Sequence, residues 1–390
     1  MDQKQDDQPE AVQGGPASEA AKASTESDRF PCPNCGGELA WEPGAQKMRC
    51  SYCDTLVDVP QRVDFHAEEH DLLAFLENVP KAEGYGVTLS TFTCKQCGAT
   101  VQAPPTDRRD ITCPFCASTY VAEATEAPAN VIKPESLIPF KVDKKQSQGM
   151  FQKWLGTGWF RPNDLKNLGR LDRVAGLYLP FFTFDAHADS TWTAMAGYYY
   201  YVTEQVQVTN DKGETRWENR QVQKVRWEPA DGNRADFYDD VLVPGVQHER
   251  LALILKVYPY DTEHLTPYSA MYLSGFGILN ADMPLKMVYQ IAKQNMEADQ
   301  VDKCSGDVPG DTQRDLRVQT RLSEQTFKHL LCPLWIGSFK YKGKVYPFAV
   351  NGQTGKLYGD KPWSWLKIFF ASAFAGIVLL IIIWLMSQGH

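Results

Sequence analysis

No aromatic side chain occurs before Phe30, and the first 29 residues carry seven acidic and three basic groups among Gln, Ala and Ser. Such a segment has too little apolar surface to offset the entropy of ordering it, so a disordered acidic tail is expected over 1–29. It also lacks the basic start and apolar run of a secretory signal. Positive charge is not in excess: 40 basic against 48 acidic residues leave a net charge of −8. That balance favours solubility and gives no general attraction to phosphate backbones. Catalytic signatures are broken or absent. NGQTGK at 351–356 has no upstream glycine of a phosphate loop, and Leu357 replaces the Ser or Thr that would follow its lysine. SGFGILN places Asn280 at the third glycine of a dinucleotide fingerprint, and no G-x-S-x-G elbow occurs. No ATPase, helicase or hydrolase is expected from these motifs.

Charge is missing altogether from 368–386, a run of nineteen residues. At ~1.5 Å per helical residue it spans about 28 Å, close to a hydrocarbon core of roughly 30 Å. Trp363, Trp365 and Trp384 stand near its ends, where indoles favour the interface. A buried core helix is the competing reading, but the run is apolar all round with Gly376 its only breaker. Lys356, Lys361 and Lys367 precede it and only four residues follow. The positive-inside rule therefore places the bulk of the chain in the cytoplasm, on a single-pass tail anchor in the inner membrane.

What the sequence does contain is cysteine in pairs. Cys32 and Cys35 are followed after fourteen residues by Cys50 and Cys53; Cys94 and Cys97 are followed after fifteen by Cys113 and Cys116. Two residues between cysteines let one tight turn aim two thiolates at a common point, and a returning hairpin completes a tetrahedron with Zn–S near ~2.3 Å. Gly36, Gly37 and Gly98 suit the positive φ such turns require, and Pro33 and Pro114 stiffen two of them. Two structural Zn²⁺ ions with four protein thiolates each are expected. A thioredoxin-like centre needs one pair at a strand–helix junction, and disulfides are disfavoured in a reducing cytoplasm. Cys304 and Cys332 have no nearby partner and read as buried core residues.

Neither ribbon reads as a nucleic-acid surface. Residues 30–60 carry Glu38, Glu42, Asp54 and Asp58 against Lys47 and Arg49; residues 90–121 carry Lys95, Arg108 and Arg109 against Asp107 and Asp110. Duplex binding draws on clustered cations and counterion release, which these counts do not offer. Trp41, Tyr52, Phe115 and Tyr120 can stack on bases but in so small a module are expected to cap the metal sites. His66, Glu69 and His70 spell the H-x-x-E-H pattern of inverted zinc peptidases, but in a short linker without an enclosing domain the match reads as chance.

Residues 130–360 hold most of the aromatics. EQVQVTN and RQVQKVRW alternate at period two, as half-buried strands do, around a turn at 211–214. A second hairpin is expected to turn at Lys342 and Gly343. One helix is expected to bury Met150, Phe151, Trp154 and Leu155. Another starts after Pro284 and repeats Leu285, Val288, Ile291 and Met296. The overall reading is a multi-domain α+β chain: tail 1–29, zinc ribbon 30–60, helical linker 61–84, second ribbon 85–125, β-rich domain 130–360, membrane helix 368–386. Scattered histidines offer no clear chemistry; Asp185 with His187 is the nearest to a pair.

CPNCGG, CPFC, IPFKVDKKQSQGMFQKWLGTGWFRP at 138–162, GLYLPFFTFDA and the segment from TFKHLLCPLWIGSF to GDKPWSWLK together resemble a family of bacterial membrane proteins. Its members have two zinc ribbons, a middle domain and C-terminal membrane segments. They are often labelled TFIIB-type zinc ribbon-containing protein and sometimes primosomal helicase. The resemblance implies a cofactor-free membrane adaptor, with zinc on the eight cysteines and nothing catalytic. Relatives lie beside phage-shock-protein-A-like and flotillin-like proteins, which suggests such proteins as partners alongside the lipid bilayer; nucleic acid is not expected. Two alternatives stay open: a membrane-associated nucleic-acid- or polymerase-binding factor, and an enzyme within 130–360. This chain departs from the two-span pattern by having one span.

Overall fold

The computed structural model describes residues 30–60, 65, 67–77, 85, 90–96, 100–103, 110–113, 118–121, 125–126, 132–167, 174–209, 213, 215–247, 251–279 and 281–388. Its first unit is a small antiparallel sheet of β1 (Leu39–Glu42), β2 (Lys47–Cys50) and β3 (Leu56–Val57). The unit shares its hydrophobic core with the body of the protein. Leu39, Trp41 and Met48 pack in one cluster with Phe140, Tyr178, Tyr272 and Trp335. Trp41 donates its indole N–H to the Phe140 carbonyl at 3.2 Å and meets the Tyr272 ring edge-on at 4.6 Å. The tryptophan expected to cap the metal site is thus bonded to the body, in the cluster that also holds Cys32 and Cys50, while Tyr52 is 81% exposed.

The short strand β4 (His70–Asp71) adds to the sheet of the body. Helix α1 (Lys144–Leu155) starts at a capping box in which Asp143 and Gln146 exchange bonds, and it buries Phe151 and Leu155 as expected, with Trp154 half-buried and Met150 left exposed. The body itself is built on very long strands, against a usual strand length of about 5–6 residues. They are β5 (Val174–Thr209) and β6 (Thr215–Pro244), which pair as far as Thr209↔Thr215; of the turn expected at 211–214, Gly213 is described, with φ +81°, and the rest lies outside the described residues. Helix α2 (Leu285–Asp307) leads into a third, β7 (Thr312–Tyr341), and β8 (Lys344–Asn351) returns along it. The β7–β8 turn falls at Lys342 and Gly343, both at positive φ, the backbone that a two-residue hairpin turn requires.

The order β6–β5–β7–β8 is antiparallel throughout. β7 leaves β5 at the Gly197↔Thr312 pair, but β6 stays with β5 as far as Thr209↔Thr215. Beyond Gly197 the two strands run on as a two-stranded arm of about 40 Å, at roughly 3.4 Å per residue. A Cβ on Gly197 would lie 2.6 Å from Thr312 Cγ2 and 2.8 Å from the Trp227 ring, so glycine is required where the third strand departs.

Three register shifts interrupt the long ladders, at Phe184/Ala186 against β6 and at Asp185/His187 and Thr193/Met195 against β7. Each puts an extra residue on the partner strand, and each holds a non-glycine residue at positive φ: Asp240, Glu324 and Asp315 respectively. Bulges of this kind raise local twist, which lets ribbons this long coil around α2. That helix buries Leu285, Val288, Ala292, Met296, Gln300 and Cys304. Ile291, counted with the apolar stripe from the sequence, is 36% exposed; Ala292 takes its place. Gln300 belongs to the buried face because it is fully paired. It accepts from the Ser190 hydroxyl at 2.9 Å and donates to Asp236 at 2.8 Å and to the Tyr238 oxygen at 2.9 Å.

Helix α3 (Trp365–Gln388) closes the described chain. Residues Trp365–Ser387 have a mean hydropathy of 2.8, and none of the residues in the apolar stretch is buried by the rest of the protein. It is long and apolar enough to cross a membrane. The fold is therefore β-rich with a few helices and one apolar C-terminal helix, as expected.

Candidate metal centre

Cys32, Cys35, Cys50 and Cys53 come together at one end of the β1–β3 sheet, their sulfurs all within 4.8 Å of one another. Cys32 lies 3.6 Å from Cys53, and Cys35 lies 3.4 Å from Cys50. A disulfide needs about 2.05 Å, whereas four thiolates at ~2.3 Å from a central ion stand a little under 4 Å apart. The donor set therefore fits a tetrahedral metal ion, with no open position for substrate.

Two turns with the same hydrogen-bond pattern bring the sulfurs together. In the first, the Cys32 N–H donates to the Gly37 carbonyl at 2.6 Å and the Gly36 N–H to the Cys32 carbonyl at 2.8 Å. In the second, the Cys50 N–H donates to Thr55 at 3.0 Å and the Asp54 N–H to Cys50 at 3.1 Å. The residue after each second cysteine is left-handed: Gly36 at φ +73° and Asp54 at φ +58°. Glycine marked the first position in the sequence; the second was missed because Asp, a residue that tolerates this region, holds it. Gly37 is needed for space, since a Cβ there would lie 2.5 Å from the Tyr52 ring and 3.2 Å from the Cys50 sulfur.

The thiols ionise unequally. The Thr55 hydroxyl and N–H bring Cys53 down to about 6. Cys35 is helped by the Gly37 N–H, but sharing with Cys53 and Cys50 pushes it up to about 12. Cys32 is lowered: burial opposes its ionisation, but the N–H groups of Asn34 and Cys35 outweigh it. A cation would complete the deprotonation, because only thiolates ligate. The sheet's two cations are already neutralised, Lys47 by Asp58 at 3.0 Å and Arg49 by Glu42 and Asp54 at 3.7 Å.

Of the second cysteine set, Cys94 and Cys113 are buried in one hydrophobic cluster, while Cys97 and Cys116 lie outside the described residues, as does Gly98. The Cys113 N–H donates to the Ser118 carbonyl at 2.9 Å, repeating the five-residue span of Cys32–Gly37 and Cys50–Thr55. Cys304 and Cys332 are both buried without exposure.

The H-x-x-E-H residues serve as ties instead. His70 bonds the Glu135 carboxylate, and Glu69 lies 3.2 Å from the Lys328 ammonium; His66 lies outside the described residues. Lys328 is also 2.9 Å from Asp240 and 3.8 Å from Asp185, so three carboxylates meet on one buried cation. Burial holds Asp185 above the usual carboxylate range. Burial also opposes the charge on Lys328, but the bond to Asp240 and the field of Asp185 outweigh it and raise its pKa. Asp185 and His187 do not form a pair: Asp185 is buried on Lys328 and the Asp240 N–H, while His187 faces solvent 3.4 Å from Glu324.

Fold and site together define a β-rich protein with a closed four-cysteine centre and a single apolar C-terminal helix. A Bacillus subtilis protein described as "Uncharacterized protein YdjG" is 25% identical over 360 residues, covering 89% of this chain and 93% of its own length. No family model and no solved structure matches the chain.

Proposed function

We propose that the chain is a membrane-tethered zinc-ribbon adaptor that recruits protein partners to the cytoplasmic face of the membrane. The observation that carries this reading is the rigid coupling of the closed four-cysteine centre to a body that ends in an unburied apolar helix. Four thiolates with no open position favour a structural Zn²⁺. The recurrence of the turn hydrogen bond at Cys113 and Ser118 supports a second zinc ribbon on Cys94, Cys97, Cys113 and Cys116. Because Lys47 and Arg49 are neutralised within the first ribbon, a protein surface is favoured over phosphate contacts. The β5–β6 arm adds exposed Tyr199, Tyr201 and Trp217, side chains suited to protein contact. The resemblance in the sequence suggests phage-shock-protein-A-like or flotillin-like partners and a role in a membrane-stress system.

The test is in-cell crosslinking followed by detergent extraction of the full chain. A stoichiometric protein partner, lost when the arm is shortened or when Cys32 is replaced, supports the adaptor. Recovery of nucleic acid with steep salt dependence and no stoichiometric protein would overturn it.

A further inference from the structure

Where the body meets α3, five basic side chains gather, in excess of the carboxylates Asp164 and Asp360 beside them. Lys342 and Lys344 flank the β7–β8 turn, Arg161 lies on the loop after α1, and Lys361 and Lys367 bracket the start of α3. Among the described residues, none of these five lies in an ion pair with a carboxylate. Lys367 donates to the carbonyls of Trp159 and Arg161 at 3.2 and 2.8 Å and to Asn163 at 2.7 Å. Arg161 donates to the Lys361 carbonyl at 2.7 Å and lies 3.9 Å over the Trp363 ring. Lys361 donates to Thr157 at 2.8 Å and 3.0 Å. Burial, with the neighbouring Arg161 charge, brings Lys361 down to about 8. Asp164, which accepts from the Tyr341 hydroxyl at 3.0 Å, and Asp360 also line this region, but the five cations outnumber these two carboxylates.

The four lysines line a cleft of about 1140 Å³, walled also by Tyr341, Trp363 and Phe370. A second cleft of about 810 Å³ continues past Lys367 between Trp159 on one side and Phe370 and Phe374 of α3 on the other. Trp159, which lines the second cleft, is 83% exposed, and Trp365, which lines the first, is 78% exposed. A ligand that satisfies both clefts has an anionic head and an apolar tail. With α3 in a bilayer, the apolar groove along it lies where acyl chains are the abundant apolar ligand.

We propose that the junction is a binding site for an anionic phospholipid. The phosphate sits at Lys342 and Lys344, with the charge of Lys367 beside it, and an acyl chain lies along Trp159, Phe370 and Phe374. Basic pockets beside a membrane helix, on the face where anionic lipids are enriched, take such headgroups, and exposed indoles belong at the same depth. The site rests on the reading of α3 as a membrane anchor. It gives that anchor a lipid preference and holds the body at a set distance from the bilayer.

The full chain, purified in nonionic detergent, is incubated with equal phosphatidylglycerol and phosphatidylcholine, and retained lipid is counted by native mass spectrometry. Phosphatidylglycerol is expected to be retained in preference by on the order of tenfold. That preference is expected to vanish in K342E/K344E, a change confined to an exposed turn, and to survive K293E on α2. Equal retention of the two lipids, or a preference unchanged in K342E/K344E, overturns the proposal. Displacement by inorganic phosphate overturns the lipid as the source of the anion. Carbonate extraction of membranes separates the two readings. Release of the chain defeats anchor and site together, whereas retention without lipid preference defeats the site alone.

Discussion

The Lys328 ammonium lies 2.9 Å from Asp240 and, among the described residues, is the cation that Asp185, Asp240 and Glu69 share, with 9% of its side chain exposed. Asp240 is the positive-φ residue of the first register shift, and its N–H donates to Asp185 at 2.6 Å. The bulge and the charge cluster therefore support each other. Lys328→Met leaves buried carboxylates without a partner and is expected to cost about 3–5 kcal/mol. The measurement is thermal unfolding of the full chain in detergent. A loss within experimental scatter would show that water or rearrangement compensates the cluster.

Cys50→Ser is expected to remove one metal equivalent per chain, and Cys94→Ser another, when metal content is measured on purified protein. Because Leu39, Trp41 and Met48 share the core of the body, metal removal at the first centre should also lower the thermal midpoint of the body. An unchanged zinc content after Cys50→Ser would defeat the zinc assignment. An unchanged midpoint after chelation would mean that packing alone holds the ribbon in place.

His329 is buried against Phe182, ring centroids 4.6 Å apart, and burial brings its pKa down to about 4, although the backbone at Ile132 and Lys133 pulls the other way. A base whose folded pKa lies below its unfolded value near ~6.5 binds fewer protons in the native state. Its contribution is intact above about pH 6.5 and is lost as pH falls toward 4, by roughly 3 kcal/mol in all. Stability measured from pH 7 to 4.5 is expected to fall more steeply in the native sequence than in His329→Phe. Parallel curves would defeat the argument. Comparing the two proteins isolates the histidine from Asp185 and Glu135, whose raised pKa values act in the opposite direction.

Two glycines should respond oppositely to alanine. At Gly197 the new Cβ meets Thr312, Trp227 and Val225 at 2.6–2.9 Å, so Gly197→Ala is expected to cost about 1–3 kcal/mol. At Gly149, inside α1, nothing lies within 4 Å, and alanine is expected to stabilise by about 0.5–1 kcal/mol. Thermal midpoints of the two variants test the pair. A neutral Gly197→Ala would mean that β7 can shift away from the arm.

Much of the local structure was legible because it rests on short-range chemistry. The hairpin turn at Lys342 and Gly343 announced itself through glycine, α2 through Pro284 and an apolar repeat, and α3 through length and lack of charge. Gln300 was not legible, because a polar residue joins a helix core only when distant partners satisfy it, here Ser190, Asp236 and Tyr238. The bulges were hidden for a related reason. Asp240, Glu324 and Asp315 look like solvated charges, and only strand pairing reveals their backbone.

The cysteine spacing by itself determined that four sulfurs of the first set could meet, since two-residue turns and a returning hairpin leave those thiols few other geometries. The apolar run likewise determined one helix that the rest of the chain does not cover. Tertiary structure alone decided that the ribbon would be welded to the body through Trp41, and that Lys328 would gather three carboxylates. It also decided that five cations from three separate segments would line two adjoining clefts beside α3. Each of these joins residues from separate parts of the chain, and their proximity depends on the registers of strands about thirty residues long rather than on any local preference.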